Sequence, residues 1–137
     1  MRTTSMLPDA ILQERQAMLG KALQYLQEQG CAELSAHDAS GYQEPRELLI
    51  PVLNVHAQPD IMGCAGQNKA PALAVVEVST DLGEESCGRR WQVLSGWAHD
   101  HEGTFTIFVH PEDRDRASAI AQHWHLDDQC VVPLNRN

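Results

Sequence analysis

Pro71-Ala72-Leu73-Ala74-Val75-Val76-Glu77-Val78-Ser79-Thr80 reads PALAVVEVST, and this stretch decides the fold. Ala72 to Val76 and Val78 are apolar at odd and even positions alike, as expected of a strand covered on both faces, so it belongs at the centre of a sheet. Glu77 is the exception. Burying an unpaired carboxylate costs several kcal/mol, so the group must stand near a cleft, be neutralised, or hold a cation. Its ordinary alternative is an exposed acid near the strand end, since Thr80-Asp81 follows closely.

On the N-terminal side, Pro8-Asp9 opens a stretch to about Gln29 in which Ile11, Leu12, Met18, Leu19, Ala22, Leu23 and Leu26 recur at helical steps, ending at Gly30. Cys31 to Pro45 is polar, with Ser40-Gly41 as a turn signal, and reads as loop with a short edge strand. Leu48 to Val55 is aliphatic but broken by Pro51, which suits an edge strand or bulge. Asp60 then begins a short apolar pair, Ile61-Met62. On the C-terminal side, Cys87, Trp91, Leu94 and Ala98 follow helical spacing from Glu84 onward. Thr104 to Val109 is a second strand, and Pro111 with Glu112 and Asp113 starts a helix whose stripe is Ala117, Ile120, Ala121 and Trp124. Cys130 to Leu134 forms a last short strand. The predicted order is αβββαβαβ, an α/β fold with a mixed sheet flanked by helices.

The chain of 137 residues suits one domain, and 42% hydrophobic residues supply an aliphatic core. Nineteen acidic against ten basic residues leave a net charge of -9, which opposes indiscriminate attraction to DNA or anionic lipid. Cys31, Cys64, Cys87 and Cys130 are widely spaced with no CxxC pair, the start is polar, and no apolar run approaches the roughly 20 residues of a membrane span. Reduced thiols, a cytoplasmic location and no membrane are the expectations.

The chemistry turns on a second carboxylate. Asp60 begins a strand expected to pair beside the one carrying Glu77, so both acids reach one point. Hard oxygen ligands of that kind suit Mg²⁺ or Mn²⁺, with the Val78 carbonyl as a third. Such an ion polarises a phosphoryl oxygen and activates water, the chemistry of phosphodiester hydrolysis.

Pro59-Asp60, a gap of sixteen residues, then Glu77-Val78-Ser79 in a hydrophobic strand resembles the PD-(D/E)XK nuclease superfamily. The resemblance spans about Pro8 to Leu134 and implies a restriction-endonuclease-like fold and a Mg²⁺- or Mn²⁺-dependent nuclease acting on DNA. It implies metal binding by Asp60 and Glu77, with Glu14 of the first helix completing the site; the alternative for Glu14 is a solvated helix acid. Ser79 stands where the family has lysine, and a hydroxyl supplies no positive charge. Arg89 or Arg90 on the following helix can reach back to replace it, although a guanidinium cannot act as a base. Their alternative is a solvated face pairing with Glu84 or Glu85.

A rival reading is a non-catalytic binding or assembly module on the same fold, favoured by the missing lysine, the acidic charge and the absence of a basic stripe. A homodimer or larger protein complex is a further expectation, since a partner chain can supply positive charge. His99, His101, His123 and His125 with Cys87 form a weaker zinc constellation. His110 reads as a cap, and Trp91, Trp97 and Trp124 as core packing.

Overall fold

A computed structural model describes residues 9–39, 41–50 and 55–134. Its first helix, α1 (Asp9–Glu28), buries Met18, Leu19, Ala22, Leu23 and Leu26 on one stripe. Gly30 ends it at φ +92, and the Cys31 N–H closes on the Leu26 carbonyl at 2.9 Å. Three short strands follow, β1 (Ala32–Ala36), β2 (Leu48–Ile50) and β3 (Val55–Ala57), then β4 (Ile61–Ala65) and β5 (Ala70–Val76). The helix α2 (Glu84–Asp100), the strand β6 (Thr104–Val109), the helix α3 (Arg114–His123) and the strand β7 (Val131–Pro133) complete the order.

The large sheet has five strands in the order β1-β4-β5-β6-β7, antiparallel from β1 to β5 and parallel from β5 to β7. This is a mixed α/β architecture with helices on both faces. The strand β5 is central, as its two-sided apolar pattern requires. Leu73 and Val75 face the core shared with α2 and α3, whereas Ala74, Val76 and Val78 face the core shared with α1. The first of these cores is completed by Trp91, Leu94 and Ala98 of α2 and by Ala117, Ile120 and Ala121 of α3, on the face opposite the α1 stripe.

Three expectations are corrected. The segment from Leu48 to Val55 is not one edge strand: β2 and β3 form a separate antiparallel hairpin, Leu48 against Ala57 and Ile50 against Val55. Strands of three residues are too short to show a period, and Pro51, like Pro8, lies outside the described residues. The pair Ile61-Met62 grows into the five-residue β4, because Gly63, Cys64 and Ala65 pair with Ala72, Pro71 and Ala70. Glu77 does not lie within its strand but directly after it, where its N–H still donates to the Phe108 carbonyl at 2.9 Å.

Gly103 leads into β6 beside the start of β5, and a Cβ there would overlap the Pro71 carbonyl oxygen, a backbone atom held in the sheet. Gly103→Ala is expected to cost about 1–3 kcal/mol through this overpacking. Urea denaturation followed by circular dichroism measures it; an unchanged midpoint would show that the junction yields.

Candidate functional site

Asp60 is placed by backbone pairing on both sides of its strand position. Its N–H donates to Ala74 O at 3.0 Å and its carbonyl accepts from His37 N at 2.8 Å. The residue is 3% exposed, so its carboxylate has little water to draw on. Protein donors take that role. Oδ2 accepts from the Val76 N–H at 2.8 Å, and Oδ1 accepts from Arg15 Nη2 at 3.0 Å and from Arg90 Nη2 at 3.1 Å. Arg15 also donates from Nη1 to Val76 O at 3.1 Å.

Glu77 is equally buried at 3% exposure and faces α2. Its Oε1 lies 3.3 Å from Arg90 Nη1, and its Oε2 accepts from the Cys87 thiol at 3.3 Å. Arg90 completes its fork by donating from Nη2 to the Gln58 carbonyl at 2.9 Å. Asp60 and Glu77 therefore converge on one guanidinium, as adjacent antiparallel β4 and β5 allow.

Burial sets the electrostatics, and the neighbours decide its outcome. It pushes the Asp60 carboxyl up, but the charges of Arg90 and Arg15 and the Val76 N–H together outweigh it and hold the group below the ordinary carboxylate value. For Glu77, burial and then the adjacent Asp60 charge push the carboxyl up to about 7, against the opposing pull of Arg90. Burial followed by the Glu77 charge pushes the Cys87 thiol up to about 12, so it is a hydrogen-bond donor and not a nucleophile at neutral pH. For Arg90, burial acts downward, and Asp60 and Glu77 reverse it, keeping the guanidinium above its usual value.

The remaining expected residues lie elsewhere. Glu14 does not join the acid pair: its Oε1 contacts Nε2 of His110, which is buried directly after β6, and the other ring nitrogen, Nδ1, is buried with no hydrogen-bond partner among the described residues. His110 thus anchors α1 and makes no side-chain cap to the turn that follows it. The Ser79 hydroxyl donates to Asp113, and Arg116 Nη2 holds the Leu82 carbonyl at 2.7 Å, so the segment after Glu77 is pinned to the start of α3. Val78 is extended and buries its side chain on the α1 face.

Arg89 is exposed on α2, whereas Arg90 reaches back. Neighbouring helix residues point about 100° apart, and Arg90 lies three residues after Cys87 and four before Leu94, bordering the buried stripe. Arg15 was missed by sequence reasoning although a signal exists: it stands four residues after Ile11 and three before Met18, a charge inside an apolar stripe. The zinc constellation does not assemble. His101 stacks on Trp97 with centroids 3.9 Å apart, His123 pairs with Glu84 at 3.1 Å, and Cys87 faces Glu77. Among the described residues no three His, Cys, Asp or Glu side chains group to hold a metal.

A divalent ion fits this arrangement poorly. All four carboxylate oxygens of Asp60 and Glu77 already accept from protein donors, and the Arg90 guanidinium stands between them. An ion entering there meets two positive charges before it meets a free oxygen. Comparison with protein-family models, curated sequences and solved structures gives no match. Among the described residues no helix is long and apolar enough to cross a membrane.

Two outcomes are expected. Asp60→Asn removes the carboxylate shared by Arg15 and Arg90 and leaves Glu77 alone to balance two guanidinium groups; it is expected to lower stability by about 3 kcal/mol, read by urea denaturation, and a change under about 0.5 kcal/mol would exclude the cluster as a stabilising element. Glu77 binds its proton more tightly folded, at about 7, than at its usual 4.5. The stability this contributes is fully present below about pH 4.5 and is lost as pH rises through 7. Glu77→Gln imitates the protonated form, so its melting temperature is expected to gain on the wild type between pH 5 and pH 8, about the interval set by that shift. Parallel melting curves across the interval count against the shift.

Proposed function

We propose that this chain is a non-catalytic binding or assembly module on a restriction-endonuclease-like frame, in which the PD and E-x-S acids serve the fold. The observation that carries this reading is the saturation of both carboxylates by Arg15, Arg90, the Val76 N–H and the Cys87 thiol. With the hairpin β2–β3 set aside, the elements run helix, three strands, helix, strand, helix, strand, which supports the frame. Ser79, at the family's lysine position, donates its hydroxyl to Asp113. The acidic excess of -9 favours a protein partner or a second copy of this chain over DNA.

A second reading, a Mg²⁺- or Mn²⁺-dependent nuclease, has one observation in its favour: Arg90 reaches both acids from α2, where a relocated positive group would stand. One experiment separates the two. The purified protein is incubated with single-stranded, duplex and branched DNA in millimolar Mg²⁺ or Mn²⁺, and its melting temperature is taken with and without metal. The module reading expects no cleavage and no shift. Cleavage that disappears in Asp60→Asn establishes the nuclease and overturns the module.

A further inference from the structure

The position of Arg90 explains why the acid pair and a metal disagree. One planar group of charge +1 spans carboxylates from two segments, with Nη2 3.1 Å from Asp60 Oδ1 and Nη1 3.3 Å from Glu77 Oε1. The same Nη2 lies 2.9 Å from the Gln58 carbonyl oxygen. Two carboxylate oxygens and one carbonyl oxygen thus surround the guanidinium as a whole, a hard donor set of the kind that Mg²⁺, Mn²⁺ and Ca²⁺ take from proteins. The fork geometry of guanidinium satisfies the set without desolvating a divalent ion.

We infer that Arg90 is a tethered cation filling a site formed by Asp60, Glu77 and the Gln58 carbonyl, and that its removal opens this site to a free cation. The inference rests on the reading of the acids as closed in the wild type. It extends that reading by naming the residue that closes them and the class of ion that replaces it. Arg15 stays in place and holds Asp60 Oδ1, so a replacement cation draws mainly on Glu77 and Gln58, with Asp60 as the shared ligand. The site therefore needs both acids: losing either leaves one carboxylate and a carbonyl, too few to hold a divalent ion against water.

The test uses the full chain as wild type, Arg90→Ala and Arg90→Met, the last keeping an apolar stem in the core should the alanine variant fold poorly. Mn²⁺ binding is followed by loss of the free-ion electron paramagnetic resonance signal, and melting temperatures are taken in millimolar Mn²⁺, in guanidinium at low concentration, and in sodium chloride of equal ionic strength. The expected result is Mn²⁺ bound by at least one Arg90 variant and a melting temperature raised by about 5 °C over the sodium chloride control. Guanidinium is expected to raise it too, and Arg90→Lys, which restores a tethered charge, to bind no Mn²⁺. Adding Glu77→Gln to the responding variant is expected to abolish the effect. Failure of both Arg90 variants to bind Mn²⁺, or a response that survives Glu77→Gln, overturns the inference and leaves the closed-site reading standing. Tight Mn²⁺ binding by the wild type overturns that reading itself.

Discussion

A single oxygen, Asp60 Oδ1, accepts from two guanidinium groups that come from opposite faces of the sheet, Arg15 from α1 and Arg90 from α2. Each helix layer packs through its own apolar stripe, and hydrophobic contact is non-directional, so it sets distance but not where along the sheet a helix stops. The charged contacts set that position. A buried carboxylate without partners is costly by several kcal/mol, so any slide of α1 or α2 that strands Asp60 is opposed steeply. Other polar tethers sit near the same sheet end: Glu14 to His110 holds α1, and Ser79 to Asp113 holds the start of α3.

The same constraint governs the chemistry. Parallel β5 and β6 end side by side, and ligands of α/β sheets commonly settle beyond such carboxyl ends. Here that region is filled by the protein's own ion pairs. Two carboxylates in one low-dielectric cluster repel, and burial makes this worse, which is why the Glu77 carboxyl is pushed up to about 7 while Asp60, with two arginines, is held down. The cluster is balanced by side chains from separate segments and not by an ion from solvent.

How much of this was legible in the sequence depends on the range of the interaction. The three helices and the strands β5 and β6 were legible because their signals are local: the Met18-Ala22-Leu26 stripe, the Trp91-Leu94-Ala98 stripe, and apolar runs bounded by polar residues. The hairpin β2–β3 was not, since a three-residue strand shows no period. The importance of Glu77 followed from one charge in an apolar run, and that of Asp60 from its place beside the neighbouring strand. Arg15 breaks an apolar stripe in the same way and carried the same signal, but its partner lies 45 residues away. Glu14 was expected to complete the acid site and Ser79 to stand at the lysine position beside it, whereas their side chains meet His110 and Asp113, which come from a turn whose approach no spacing rule describes.

By itself the sequence determined the element types, the central position of PALAVVEVST and the need for Glu77 to find a partner, because periodicity and the cost of buried charge act residue by residue. Only the tertiary structure decided which partner each charge takes. A carboxylate binds an ion or a guanidinium according to what reaches it within about 3 Å, and that distance is set by how three helices pack on a twisted sheet. The acids that looked like metal ligands along the chain are, in three dimensions, held by Arg15 and Arg90.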